Sequence, residues 1–289
     1  MLVIAGPTVA GVEKASARVP SVAPAVASLS AGAIQGAKLP RDARPRDVSL
    51  KVTLLTKDGT ISAYEPLLAR IVLRNRSAES ICVVLGNNGA PGTHLAVCDD
   101  EGKLLAETRT AEADQEGALE WLEFLRQLGP GDSHSRVRVV TGLYEFRTAG
   151  KYLVRVQQLG HPEGRRARGP GDLTVLAEDE ASVRVLPFNA ARLEAACEEL
   201  FQPLRKRSSA KTDIPVEIRR KALYSVRHDI VLPYLDWLAR EGGGAYAVVA
   251  MRRIGTERAK KLVNALAARR DSIGAEARRG LRLSLDTGF

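Results

Sequence analysis

The sequence predicts a multidomain chain of the β plus α class, a β-sandwich followed by a small α-solenoid. Three observations predict it. In the run Glu65 to Ser77, Leu67, Ala69, Ile71 and Leu73 fall on one side of an extended strand, and Arg70 and Arg74 fall on the other, as in a sheet with one buried and one wetter face. After Pro187 the apolar period changes from two to 3.6. In the C-terminal third, Ala222-Leu223-x-x-Val226 recurs as Ala250-Met251-x-x-Ile254, 28 positions later. The expected organisation is a disordered tail or signal remnant over 1–46, a sandwich over 47–187 and a helical repeat domain over 188–289.

Residues 1–46 are rich in Ala, Val, Ser, Gly and Pro, and Leu2 to Ala5 is apolar without a basic stretch before it. Fixed structure is expected only from about Arg46. Leu50, Val52 and Leu54 then alternate with Lys51 and Thr53, and Asp58-Gly59 marks a turn. The Glu65–Ser77 strand follows, with Pro66 suited to its start. Ile81 to Leu85 comes at hairpin distance, so these two runs are read as the central strands. Gly86 to Gly92 is a loop. Leu95 to Val97 and Leu104 to Ala106 flank Asp99-Asp-Glu-Gly102, a hairpin pattern. Residues 111–128 fit either a helix, through Leu119, Leu122 and Leu125, or a strand, through Trp121, Glu123 and Leu125. Val137 and Val139 alternate with Arg136 and Arg138. Leu143 to Phe146 is a crossing turn, Tyr152, Val154 and Val156 form one strand face, and Ala181 to Val185 is the last strand.

Short strands at this spacing indicate two packed layers. The runs Leu128-Gly-Pro-Gly-Asp132, Leu143-Tyr-Glu-Phe146 and Ala149-Gly-Lys-Tyr-Leu-Val-Arg-Val156 resemble the last strands of immunoglobulin-like modules in bacterial secreted and envelope proteins. The resemblance covers 47–187 and implies an immunoglobulin-like β-sandwich. The Cys–Trp–Cys arrangement of antibody domains is absent.

Beyond Pro187, Leu193, Ala196, Cys197, Leu200, Phe201 and Leu204 share a helical face, with Asn189 as N-cap. Pro203 is expected to kink or end that helix. A basic linker, Arg205 to Asp213, leads to the repeat. Each of its first two units contains a second apolar helical face, Ile230, Tyr234, Leu235 and Leu238 in one and Ala259, Leu262, Val263 and Leu266 in the other. Gly255 suits a C-cap and Thr256 an N-cap. Ala277 to Leu281 is a third, shortened copy. These units resemble short HEAT-like repeats, which stack into a solenoid; the Asn189 helix is expected to cap the stack.

The chain has 289 residues, 45% hydrophobic and 4% aromatic. So few aromatics disfavour a base-stacking surface or a large aromatic ligand pocket. The net charge of +9 is uneven. Residues 1–46 hold six Lys/Arg against two Asp/Glu, residues 47–190 hold 17 against 20, and residues 191–289 hold 20 against 12. A basic C-terminal third suits an acidic partner. No apolar run approaches the roughly 18–20 residues of a membrane span.

No Gly-x-Ser-x-Gly, Walker loop, dinucleotide fingerprint or C-x-x-C is present. His94, His134, His161 and His228 lack a metal-ligand partner at i+3 or i+4; His228 suits a helix start. Asp99-Asp100-Glu101 could hold a calcium ion or be a solvated hairpin tip. Cys82 and Cys98 could pair or stay free thiols, Asn75-Arg-Ser77 matches a glycosylation sequon, and Trp121 and Trp237 suit a core. No cofactor or metal is expected.

The expected function is a non-enzymatic protein-binding or scaffold protein, extracytoplasmic or periplasmic rather than cytoplasmic, with the helical repeats as its interaction surface. Its expected partner is a protein with an acidic surface, rather than nucleic acid. Arg258, Lys260, Lys261, Arg269 and Arg270, on or bordering the outer face of one helix, are the candidate contact residues. One alternative is an inhibitor-like or adhesion module carried by the sandwich. A second is an enzyme of the bilin-lyase type, since HEAT-like repeats occur there.

Overall fold

The computed structural model describes residues 41–85, 92–107, 125–160, 173–206, 213–241 and 244–283. The described residues belong to one compact unit. Its first part is built of strands β1 (Arg41–Asp42), β2 (Val48–Leu54), β3 (Thr60–Ser62), β4 (Leu68–Asn75), β5 (Ile81–Val84), β6 (Thr93–Asp99), β7 (Leu125–Leu128), β8 (Ser133–Val139), β9 (Gly150–Gly160) and β10 (Thr174–Leu186). Its second part is built of helices α1 (Ala190–Arg205), α2 (Val216–Ser225), α3 (Leu232–Arg240), α4 (Gly244–Ile254), α5 (Glu257–Ala267) and α6 (Ser272–Arg282), with a 3-10 turn over Asp229–Val231. Sheets therefore occupy the N-terminal half and helices the C-terminal part.

The strands form three sheets, in the orders β2-β4-β8, β3-β10-β9-β6 and β1-β5-β7. Their inner faces share one apolar core containing Val52, Ile71, Leu73, Ile81, Val83, Val97, Val154, Val156 and Val183. The period-two reading of β4 holds, since Leu67, Ala69, Ile71 and Leu73 are all buried in that core. Ile71 lies opposite Val52 of β2 and Arg136 of β8, so β4 is central in its sheet. β5 is central too, but in a different sheet. It pairs with β1 and β7 and not with β4, which corrects the hairpin expectation. The buried Asn75 side chain explains the departure. Its Nδ2 donates to the carbonyls of Glu79, Leu128 and Gly129 at 2.8, 3.0 and 2.9 Å, and its Oδ1 accepts from the Ser77 amide at 2.8 Å. One amide therefore stitches the end of β4 to the segment before β5 and to the end of β7.

Three further expectations change, and one left open is decided. Order begins before Arg46, because β1 is held by ion pairs from Arg41 to Asp47 and Glu79; the rest of the expected disordered tail, 1–40, lies outside the described residues. Leu104 to Ala106 forms no extended strand, although Leu104 bridges Cys98 and the Leu105 amide donates to the Val97 carbonyl at 2.8 Å. Leu125 belongs to a strand, whereas 108–124, with Trp121, lie outside the described residues. β10 starts at Thr174, well before Ala181, and carries an irregularity between Val175 and Ala177.

The outer face of the β2-β4-β8 sheet is where the helices pack. Leu68 and Val137 belong to the helical core, together with Leu193, Cys197, Leu223, Leu235, Met251 and Leu266. α1 begins at Asn189, whose side chain accepts from the Arg192 amide at 3.0 Å. Polar contacts fasten the junction. Arg192 donates to Glu65 at 2.9 Å and to the Thr60 carbonyl at 2.6 Å, the Asn189 amide donates to Ser62 Oγ at 2.8 Å, and the Thr141 and Ser225 hydroxyls meet at 3.1 Å.

Pro203 does not end α1, which continues to Arg205. A proline at this position deprives the Glu199 carbonyl of its helical donor. The buried Arg219 of α2 supplies a replacement, donating from Nη1 to that oxygen at 3.3 Å. Arginines cap other helices in the same way. Arg252 donates to the carbonyls of Gly280 and Leu283 at the end of α6, at 3.1 and 2.8 Å. Arg278 donates to those of Ala267 and Arg269 at the end of α5, at 2.7 and 2.9 Å. Gly255 takes a left-handed φ of +75° between α4 and α5, as a C-cap glycine does. Thr256 then opens α5 by accepting from the Ala259 amide at 3.3 Å.

Candidate functional site

α5 presents its apolar face inward through Ala259, Val263 and Leu266, which are buried, with Leu262 half-buried beside them. Of the five cations expected to form a contact surface, Arg258, Lys260, Lys261 and Arg270 are exposed and Arg269 is half-buried. Two of them have acidic partners. Lys260 pairs with Glu257 at 2.7 Å, and Arg269 pairs with Asp271, the N-cap of α6. Hydrogen bonding from Arg269, then from the Gly274 amide, draws the Asp271 carboxyl down to about 2, so that pair stays ionised at ordinary pH. Arg258, Lys261 and Arg270 make no ion pair among the described residues. Nearby helical cations are already engaged. Arg252 and Arg278 cap helices, Arg240 pairs with Asp236, and Arg279 pairs with Glu276.

The other singled-out residues take structural positions. His228 caps the 3-10 turn through Nδ1, which accepts from the Ile230 amide at 3.2 Å. Its ring lies 4.7 Å from Phe188 and 5.8 Å from Tyr64, at the sheet–helix junction. Asp99 Oδ1 accepts from the amides of Glu101 and Lys103 at 3.2 and 2.8 Å, so this carboxylate closes its own turn. Among the described residues no group of three or more His, Cys, Asp or Glu is placed to hold a metal ion. The sequon residue Asn75 is buried, and its amide is committed to three carbonyls. Cys82, Cys98 and Cys197 are free thiols, and burial pushes the Cys197 thiol up to about 12. Trp237 packs edge-on against Phe201, ring centres 5.0 Å apart. Among the described residues no helix is long and apolar enough to cross a membrane.

A second charged feature escaped the sequence reading. Opposed residues of antiparallel strands point to the same side. His134 opposes Leu73, Arg136 opposes Ile71 and Arg138 opposes Ala69, and all three partners face the sandwich core. The basic residues of β8 therefore point toward the sandwich interior, while Val137 faces the helices. Arg136 as a whole is half-buried, yet its Nε and Nη2 atoms are closed off from solvent and hydrogen-bond to nothing among the described residues. Burial, then repulsion from Arg138, lowers its guanidinium to about 9. Burial, then the charges of Arg136 and of Arg126 on β7, hold the His134 imidazole below its ordinary value.

No family model and no curated protein matches the chain. Solved structures resemble part of it distantly. The CARDB domain of a Pyrococcus furiosus protein, solved with di-metal ions, is 11% identical over 49% of this chain and 92% of that one, with a TM-score of 0.24. A β-glucosidase from Listeria innocua is 11% identical over 49% of this chain and only 16% of the enzyme, with a TM-score of 0.25. The alkylpurine DNA glycosylase AlkC of Pseudomonas fluorescens, bound to DNA containing an abasic-site analogue, is 11% identical over 48% of this chain and 30% of that protein, with a TM-score of 0.25. Scores this low carry no argument about the chemistry of this chain.

Proposed function

We propose that this protein is a non-enzymatic binding or scaffold protein, working outside the cytoplasm, whose helical layer holds an acidic protein partner. The observation that carries the proposal is the outer side of α5 and the segment after it. Arg258, Lys261 and Arg270 project to solvent with no ion pair among the described residues, while neighbouring arginines are spent on helix ends and carboxylates. Unpaired surface cations contribute little to folding, so their value lies in steering and orienting an oppositely charged surface. In the same reading the helix pairs α2/α3 and α4/α5 are HEAT-like units and α6 is a third, incomplete one, which suits a protein-holding surface. The strand part is read as an immunoglobulin-like module. Its opening segment is divided between layers, with β2 antiparallel to β4 in one sheet and β3 parallel to β10 in another.

The test uses the full chain. Replacing Arg258, Lys261 and Arg270 together by Glu should leave the far-ultraviolet circular dichroism unchanged. It should slow association with a captured acidic protein on the order of tenfold or more and remove the salt dependence of binding. Arg74→Glu, at an exposed position on the sandwich, serves as the control for a charge reversal away from α5. Unaltered capture by the triple variant with loss in the control would move the partner site to the sandwich, as an adhesion or inhibitor-like module requires.

A further inference from the structure

We infer that the inward-facing basic row of β8, centred on Arg136 and flanked by His134 and by Arg126 of β7, is a binding site for an oxyanion, a carboxylate or a phosphate group carried on a small molecule. The chemistry rests on which atoms of Arg136 are unpaired. Nε and Nη2 are the two donors on one side of the guanidinium, and together they form the fork that receives two oxygens of a carboxylate or phosphate. Both are removed from solvent, and neither has an acceptor among the described residues. An ionised group held in that condition is strongly unfavourable unless a counter-charge completes it. A guanidinium lowered only to about 9 is still charged at neutral pH.

The surroundings add positive charge. His134 lies two residues back on the same face of β8, and its imidazole is repelled by Arg136 and Arg126. Across the ladder the residues facing His134 and Arg136 are Leu73 and Ile71, which supply no carboxylate. A competing explanation exists for one part of the pattern. Among the described residues β8 pairs only with β4, and inward-pointing charges on an edge strand discourage pairing between molecules. That role requires a charge, but it does not require both fork donors to be enclosed and left without acceptors.

The experiment titrates the full chain with inorganic phosphate, and separately with succinate, against chloride at matched ionic strength. It follows binding heat and the His134 imidazole by nuclear magnetic resonance. A saturable site should appear for phosphate or for succinate, the stronger of the two identifying the oxyanion class. Its occupation should raise the pH at which His134 titrates, because the added negative charge offsets Arg136 and Arg126. Arg136→Gln should weaken the site at least tenfold, while Arg74→Gln leaves it unchanged. Should Arg136→Gln fail to fold, Arg126→Gln, at an exposed position, should still weaken binding, and the His134 shift in the unmodified chain remains a readout. The inference is overturned if neither anion binds saturably, if His134 titrates identically with and without them, or if Arg136→Gln self-associates yet binds the anion as before. The last result would leave Arg136 as an edge guard alone.

Discussion

At the scale of single residues, what a side chain does here depends on which of two faces of one sheet it occupies. Ile71 and Arg70 are neighbours on β4, and Ile71 is buried between the sandwich layers. Ile71→Ala should therefore cost about 2–5 kcal/mol, as buried large-to-small changes do. Arg70 is partly exposed and makes one ion pair to Asp213 at 3.3 Å. Arg70→Ala should cost roughly 0.5 kcal/mol or less. Equal losses at the two positions in urea denaturation would contradict the assigned facing. Asp47 supplies a test by pH. Hydrogen bonding from Arg41, then from the Arg44 amide, holds its carboxyl below the ordinary 3.8. A carboxylate lowered on folding stabilises the fold fully above its unfolded value, and that contribution is lost as pH falls through the folded value. The stability gap between the wild type and Asp47→Asn should be constant from neutral pH down to about 5 and should shrink below 3.8. A gap that widens in acid would contradict the pairing. The facing of β4 was legible from its sequence, because Leu67, Ala69, Ile71 and Leu73 agree on one side. The facing of β8 was not. Alternating Val and Arg fixes which residues share a side, but not which side receives a covering layer. Here the helices cover the outer face, so Val137 turns outward to them and Arg136 turns inward.

At the scale of elements, local chemistry was legible where a cap or a period specifies it. Asn189, Thr256 and Gly255 stand where the sequence placed them, since N-caps and left-handed C-caps need only neighbouring residues. Pairing of β5 and continuation of α1 through Pro203 were not legible. Both are decided by distant groups, the Asn75 amide and the Arg219 guanidinium. The docking of α6 is likewise a long-range matter, and glycine makes it possible. A Cβ at Gly280 would lie 2.5 Å from the Ala245 carbonyl oxygen and 2.9 Å from Val248 Cβ, both on α4. Gly280→Ala gains up to about 1 kcal/mol in helix propensity. It must nevertheless push α6 off the α4 backbone, an overpacking cost of about 1–3 kcal/mol. Net destabilisation is expected, read as a lowered urea midpoint, whereas Gly142→Ala, whose nearest contact would be 3.5 Å, should be close to neutral. A stabilised Gly280→Ala protein would show that α6 is not seated so closely on α4.

At the scale of the whole molecule, the helices and the outer face of the β2-β4-β8 sheet share an apolar core. The helical surface is thereby mounted on a rigid sheet by contacts such as Arg192–Glu65 and Ser225–Thr141. The uneven charge of the sequence pointed to the helical part, and much of that charge is internal chemistry, arginines closing helix ends. What remains without an ion pair on and beyond α5, among the described residues, is the smaller set Arg258, Lys261 and Arg270; Lys260 meets Glu257 at the i,i+3 spacing within α5, whereas Arg269 meets Asp271 only because the chain turns into α6 there. The central claim is that this set meets the partner. Hydrogen–deuterium exchange on the full chain, with and without a partner captured in the salt-dependent manner described above, tests it most directly. The account predicts slowed exchange in the segment from Glu257 to Arg270, with the loops of the sandwich unchanged. Slowed exchange confined to the sandwich, with α5 unaffected, would contradict it.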